Sequence, residues 1–339
     1  MHINYGIIRS KKRERKSEVW FEAVTGRMDE RNMKIYVTGS SGLAGHNLVD
    51  VFLAHGHEVV TSRSSDVNLL DYDVAADFIA EASPDVVVHA AGKVGGIQAN
   101  VKDPYGFFLE NMEMGINVVK AVIATRVPRM INLSSSCSYP CALGRPLTEN
   151  DVFDGKLEPT NEGYAIAKAA ITRLCAFAAS QHPQCSIKTL IACNLYGKYD
   201  KFGESNSHMI PAVIRKLHEA KLARTDRVTI WGDGLARREF LYASDFAEMV
   251  ETCLGRFDEL PEAMNIGLGY DHTVNEYYEA VARVVGYKGI FDHDLTKPVG
   301  MKRKLLDISL QKRFGVSARR TLEEGIAETY KYFLEFIEH

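Results

Sequence analysis

The sequence predicts a doubly wound α/β chain with a smaller C-terminal lobe, and three observations predict it. From Met33 onward, short runs rich in Val and Ile alternate with helical patterns; the first run ends in a glycine-rich turn; and the alternation breaks after Tyr196. Strands and helices in alternation argue for a parallel sheet covered on both faces. The expected strands are residues 34–38, 57–61, 86–90, 130–134 and 187–192, with helical patterns at 74–82 and 107–125. Beyond Tyr196, helices are expected near 210–222 and 274–285, with loops around 200–207 and 225–237. The chain therefore divides into a basic leader (1–32), a sheet domain (33–195) and a lobe (mainly 196–339) from which the chain crosses back to the sheet domain.

Composition narrows the function classes. A chain of 339 residues with net charge −3 and a pI near 6.4 has no global electrostatic reason to bind nucleic acid or an anionic membrane. No apolar run approaches the roughly 20 residues that span a bilayer. Six cysteines form neither a CxxC metal pair nor a dense disulfide framework, so no metal site is expected and the chain reads as cytoplasmic. The run Arg9-Ser-Lys-Lys-Arg-Glu-Arg-Lys16 has no apolar segment after it, which argues against a secretory signal; a disordered tail is expected.

The first strand runs into Gly39-Ser-Ser-Gly42-Leu-Ala-Gly45, followed by a helical run through Leu48, Val49, Phe52 and Leu53. A strand, a glycine-rich turn and a helix start form the setting in which a dinucleotide pyrophosphate sits on backbone N–H groups. Gly39 permits the tight turn, Gly42 the approach of the phosphates, and Gly45 the packing of helix on strand. The spacing is GxxGxxG, and an ordinary strand-to-helix turn reads the same way. With this turn the predicted sheet is of Rossmann type. At the end of the second strand stands Arg63, between Ser62 and Ser64, with no acid until Asp66. That favours a phosphorylated ribose, hence NADP(H), although Arg63 also suits a solvated loop cation. Asp71, after Asn68-Leu69-Leu70, suits the adenine end of the cofactor or a helix N-cap.

Tyr164 and Lys168 lie one helical turn apart on one face. A cation beside a phenol favours the phenolate and lowers a reference pKa of about 10, which suits proton exchange with an oxygen whose carbon exchanges hydride. Ser135, at the carboxyl end of the fourth strand and 29 positions before Tyr164, completes a Ser-Tyr-Lys set.

These motifs resemble the extended short-chain dehydrogenases/reductases, and within them the GDP-L-fucose synthases. The resemblance runs from Val37 almost to the C-terminus. It is carried by the Gly-rich turn, Asn68-Leu-Leu-Asp71, His89-Ala-Ala-Gly-Lys-Val-Gly-Gly-Ile97, Ser135-Ser-Cys-Ser-Tyr-Pro140, Leu157-Glu-Pro-Thr-Asn-Glu162, Asn194-Leu-Tyr-Gly197, Ser205-Asn-Ser-His208, Arg238-Glu-Phe240 and Arg303-Lys-Leu-Leu-Asp307. It implies NADPH-dependent 3,5-epimerisation and 4-reduction of GDP-4-keto-6-deoxy-D-mannose, a Rossmann domain with a substrate lobe, and a homodimer built on the Asn111 and Tyr164 helices. Ser135 and Tyr164 would handle the C4 oxygen, Lys168 would support the tyrosine, and Cys137 with His208 would carry the epimerisation.

Cofactor contacts are implied for Gly39, Ser41, Gly42, Leu43, Gly45, Arg63, Asn68, Leu69, Asp71, Ala90, Ala91, Tyr164 and Lys168. Substrate contacts are implied for Ser136, Asn194, His208, Arg215, Trp231, Arg238 and Lys304. On residue chemistry alone, Cys137 also suits a buried hydrophobe, His208 a structural role, Asn194 a turn, and Arg215 or Arg238 a surface ion pair. Departures from the family pattern include Ser40-Ser41, Ser138, Gly163 and Val299. They admit a sister substrate, either a 3,6-dideoxy sugar leading to GDP-L-colitose or a 6-deoxy-heptose.

Overall fold

Five of the six strands of the central sheet are short, largely buried runs, while the edge strand Glu58–Thr61 is only partly buried. A run of that kind is stable only when both of its faces are covered. In the computed structural model, which describes residues 32–203, 207–297 and 301–338, the elements begin β1 (Lys34–Thr38), α1 (Leu43–Ala54), β2 (Glu58–Thr61), α2 (Tyr72–Ala82), β3 (Val86–His89), α3 (Ile97–Lys102), α4 (Pro104–Thr125), β4 (Arg129–Ser135), α5 (Glu162–Gln181) and β5 (Ser186–Ala192). They continue as β6 (Asn194–Tyr196), α6 (Met209–Leu222), β7 (Arg227–Trp231), β8 (Arg237–Arg238), β9 (Phe240–Tyr242), α7 (Ala243–Leu254) and β10 (Ala263–Ile266). The last are β11 (His272–Thr273), α8 (Val274–Val285), β12 (Ile290–Asp294), β13 (Arg303–Lys304), α9 (Ser309–Phe314) and α10 (Leu322–Phe336). Residues 1–31 of the basic leader, with Ser205, Asn206 and Val299, lie outside the described residues.

The main sheet has six parallel strands in the order β10-β5-β4-β3-β1-β2. Alternation along β1 sends Ile35 and Val37 to one face, against α1 and α7, and Tyr36 to the other, against α2, α4 and α5. A third core joins α6, α8 and α10 through residues such as Ile214, Leu217, Val281 and Ile326.

Helix boundaries follow local chemistry. Asp103 caps α4 by accepting from Gly106 N, with Pro104 in the first turn, where a missing N–H does no harm. α4 and α5 pack closely because two glycines let them: a Cβ on Gly163 would stand 2.4 Å from Pro104 O, and one on Gly115 would stand 2.6 Å from Ile171 Cγ1. The small residue at 163, a departure in the sequence pattern, is therefore demanded by helix packing.

Two expectations change. Residues 225–237 are not all loop, since β7 runs through Arg227–Trp231 and pairs in parallel with β12. Its Val228 and Ile230 point inward and the residues between them outward, a half-buried alternation obscured by Asp226, Gly232, Asp233 and Gly234 at its flanks. The sheet also gains a sixth strand, β10, from beyond Tyr196.

Candidate active site

The glycine-rich turn is shaped by close approach. Gly39 has φ +65°, and a Cβ there would lie 2.6 Å from Ala91 Cα, so the turn rests directly on the chain leaving β3 at Ala90 and Ala91. A Cβ on Gly45 would lie 2.1 Å from Gly39 O. Gly42 caps α1 with no side-chain hydrogen bond, and it stands exposed beside Ser41, with Leu43 opening the helix. An open helix N-terminus at a sheet's carboxyl edge fits a pyrophosphate. Substituting Ala for Gly45 is expected to displace the turn, lower stability by about 1–3 kcal/mol and weaken dinucleotide binding; thermal unfolding with and without NADPH measures both.

Arg63 follows β2 on the exposed side of the same edge, next to Ser62, whose Oγ and carbonyl engage Tyr36 OH (2.8 Å) and Ser40 Oγ (3.4 Å). Asn68 accepts from Leu70 N, Leu69 O accepts from Asn117 Nδ2, and the Asp71 side chain caps α2 by accepting from Asp73 N and Val74 N. The Asp71 carboxylate is thus engaged in the capping alternative.

Beyond the end of β4 the chain turns at once. Ser135 is the last strand residue, and its Oγ accepts from Cys137 N at 3.3 Å. Cys137 Sγ receives Asn161 Nδ2 at 3.3 Å and Lys304 Nζ at 3.2 Å. Burial pushes this thiol up, but the Lys304 charge and hydrogen bonds from Ser135, Lys304 and Asn161 outweigh it and hold Cys137 below the ordinary thiol value. Lys168 lies 5.9 Å from the centre of the Tyr164 ring and donates to Leu133 O at 3.0 Å. Burial lowers Lys168 to about 8, against the opposing influence of Cys175 and Cys137.

Tyr164 departs from the expectation of a lowered phenol. Burial raises its pKa, the Cys137 charge adds to the rise, and the Ser135 hydrogen bond only partly offsets both. The phenol thus starts protonated, the state required of a donor. Ser135 acts on both Cys137 and Tyr164, which ties the thiol to the Ser-Tyr-Lys set.

His208 caps α6 and its Nδ1 lies 2.9 Å from Asp200 Oδ1. Burial lowers its pKa, but the hydrogen bond and charge of Asp200 reverse that, and the net shift is upward. Its neighbour Ser207 borders Gly96, where α3 begins, and α3 packs on the 3₁₀ turn at Pro159–Asn161 that carries the Cys137 partner. Ser136 is buried, and among the described residues its Oγ has no hydrogen-bond partner; Asn161 Oδ1 is likewise unpartnered among them. Unsatisfied polar atoms beside a reactive thiol fit a polar ligand.

The remaining expected substrate residues sit in differing surroundings, with Arg238 near the thiol. Asn194 Nδ2 donates to Glu239 O at 2.8 Å, within the β6–β9 pairing. Arg215 bonds Glu219 Oε1 (2.6 Å) and Phe202 O (3.1 Å). Trp231 ends β7, with Lys297 Nζ 5.7 Å from its ring centre. Arg238, lowered by burial, is close enough to Cys137 and Glu158 to sense their charge. Sequence reading missed Asn161 and Asp200, and it named Lys304 as a substrate contact without its contact to the thiol. The available signal was that Asn161 and Lys304 lie inside matching motifs. Among the described residues there is no cluster of His, Cys, Asp or Glu suited to a metal, and no helix is long and apolar enough to cross a membrane.

Comparisons with known proteins agree with the fold. The family model described as NAD dependent epimerase/dehydratase family matches residues 35–267. The chain is 45% identical to a GDP-L-colitose synthase of Yersinia pseudotuberculosis, covering 89% of this chain and 98% of that protein. It is 44% identical to a GDP-L-fucose synthase of Azorhizobium caulinodans, covering 90% and 97%. Among solved structures, GDP-mannoheptose C4 reductase from Campylobacter jejuni with NADP bound superposes with TM-score 0.82 at 28% identity, covering 91% and 100%. With its family match and its relatives spanning most of its length, the chain belongs to the NAD dependent epimerase/dehydratase family.

Proposed function

We propose that this enzyme converts GDP-4-keto-6-deoxy-D-mannose to GDP-L-fucose by 3,5-epimerisation and 4-reduction with NADPH. The observation that carries the reading is a thiol held below its ordinary pKa beside a Ser-Tyr-Lys set, with a histidine raised by a carboxylate. The C4 carbonyl acidifies the hydrogens on C3 and C5. Cys137 as thiolate takes a proton from one face, His208 as imidazolium returns one to the other, and Ser135 and Tyr164 hold the charge on the C4 oxygen. NADPH, when bound, supplies the hydride for C4. Tyr164 gives its proton to the same oxygen, with Lys168 behind it. Gly39, Ser41, Gly42 and Gly45 would hold the pyrophosphate, and Arg63 the 2′-phosphate. NADPH oxidation against NADH tests the latter assignment: equal turnover with both removes it.

The GDP-L-colitose synthase relative favours a second reading on a 3,6-dideoxy sugar, where only C5 is a centre to invert. The GDP-mannoheptose C4 reductase named among the structures favours a 4-keto-heptose in the same way. Parallel assays on the three 4-keto sugars rank them.

Epimerisation requires deprotonated Cys137 and protonated His208. The rate, read as deuterium incorporation from D2O, therefore rises with pH through the Cys137 pKa and falls through the His208 pKa. The rising limb is expected below 9.0 and the falling limb above 6.5. A profile that only rises through pH 9 would remove His208 as the acid.

The proposed compartment is the cytoplasm, supported by six free cysteines and a mechanism that needs a reduced thiol. The proposed assembly is a homodimer through α4 and α5, which expose Tyr105, Phe108, Ile166 and Phe177. Light scattering is expected to give twice the 37.8 kDa chain mass, and Phe177→Asp to give monomer; a monomeric parent protein would refute it.

A further inference from the structure

Lys304 is only 9% exposed, and among the described residues its ammonium makes no ion pair with a carboxylate. Its side chain reaches Cys137 Sγ at 3.2 Å. A buried ammonium without an anion is expensive, so its natural counterion here is a thiolate. The chain invests several contacts in placing it. β13 pairs in parallel with β8, so that Arg303 sits beside Arg237 and Lys304 beside Arg238. Arg303 Nε (2.5 Å) and Arg237 Nε (2.6 Å) grip the two oxygens of buried Asp271. Two residues beyond Lys304, Leu306 N donates to Glu239 Oε2 at 3.0 Å, while the other oxygen of that buried carboxylate takes Leu268 N and Gly269 N. Leu147 N donates to Leu305 O at 2.9 Å. The ammonium is thus fixed by strand register on one side of the thiol, and Asn161 Nδ2 approaches the same sulfur.

We propose that Lys304 is a positioning residue for epimerisation, which acts through Cys137 by holding its sulfur as the thiolate base. This rests on the reading of Cys137 given above. In each inversion the C–H bond next to the C4 carbonyl breaks, its electron pair forms the enolate, and an S–H bond forms. A histidine N–H then breaks on the other face as a new C–H bond forms, and before the next inversion water takes the thiol proton and returns one to the imidazole. Lys304 transfers no proton; its contribution is to favour the charged sulfur before the step. The other groups that sense or set this charge are Ser135, Asn161, Tyr164, Lys168 and Arg238. Their residues are unchanged in a Lys304 variant, so the change isolates its share.

The test reads the thiol without any sugar. The full chain is alkylated with iodoacetamide from pH 5 to 10, and modification of Cys137 is followed by peptide mass spectrometry, which separates it from half-buried Cys141 and the four buried cysteines. Lys304→Met is expected to move the midpoint up by about one unit or more, making alkylation at pH 7 about tenfold slower. Lys304→Arg should restore most of the rate, which a purely packing role would not predict. Lys304→Gln carries the same comparison if the Met variant does not fold. An unchanged midpoint in the folded neutral variant overturns the proposal. Because no substrate is present, that result leaves the proposed function standing, while failure on every 4-keto sugar leaves the thiol profile intact.

Discussion

Replacing Cys137 by Ser is expected to abolish inversion at C3 and C5 while NADPH still binds. A serine hydroxyl is not ionised near neutrality, so the Lys304 ammonium and the Asn161 amide, which approach the sulfur at 3.2 and 3.3 Å, lose the anion they are arranged to stabilise. Loss of a general base slows proton transfer by about 10²–10⁴-fold. The glycine-rich turn is built from other residues, with Gly39 resting on Ala91 and Gly45 on Gly39 O, so dinucleotide affinity should survive. The measurement is deuterium incorporation into the 4-keto sugar in D2O, with NADPH affinity from fluorescence titration. Unchanged incorporation at both carbons would sink the assignment of Cys137.

Tyr164→Phe should have an effect of similar size on the reduction. The phenol is held protonated by burial, and Phe preserves the ring beside Lys168 while it removes the proton bound for the C4 oxygen. NADPH oxidation is expected to fall by about 10²–10⁴-fold with little change in NADPH affinity. If single-turnover hydride transfer keeps the parent rate, the C4 proton comes from elsewhere.

What could be read from the chain divides along physical lines. Four of the five expected strands are short, largely buried runs, a signal that burial on both faces imposes on sequence, while β2 at the sheet edge is only partly buried. β10 lacks that signal because Asn265 sits in its four residues. Asn265 is completely buried yet satisfied: its Oδ1 accepts from Tyr139 OH at 2.6 Å, and its Nδ2 donates to Leu147 O and Asp307 O. A polar residue that belongs in a core through partners 42 to 126 residues away leaves no local trace. β7 was hidden differently, its alternation being only five residues long between turn formers.

The site shows the same division. Tyr164 and Lys168 are a local pair, legible from helical spacing, and Ser135 was placed by the strand it ends. The direction of the Tyr164 shift was not legible, since it depends on burial that spacing does not reveal. Lys304 lies 167 positions from Cys137 and reaches it only because β13 joins β8 in register. Asp200 lies eight residues before His208, in a stretch whose loop character hid a buried carboxylate.

The most direct test of the account is the product formed in D2O from GDP-4-keto-6-deoxy-D-mannose and NADPH, identified by NMR. The account predicts stoichiometric NADPH oxidation and GDP-L-fucose carrying deuterium at C3 and C5. Reduction to a sugar that retains its original configuration and hydrogen at both carbons would contradict it.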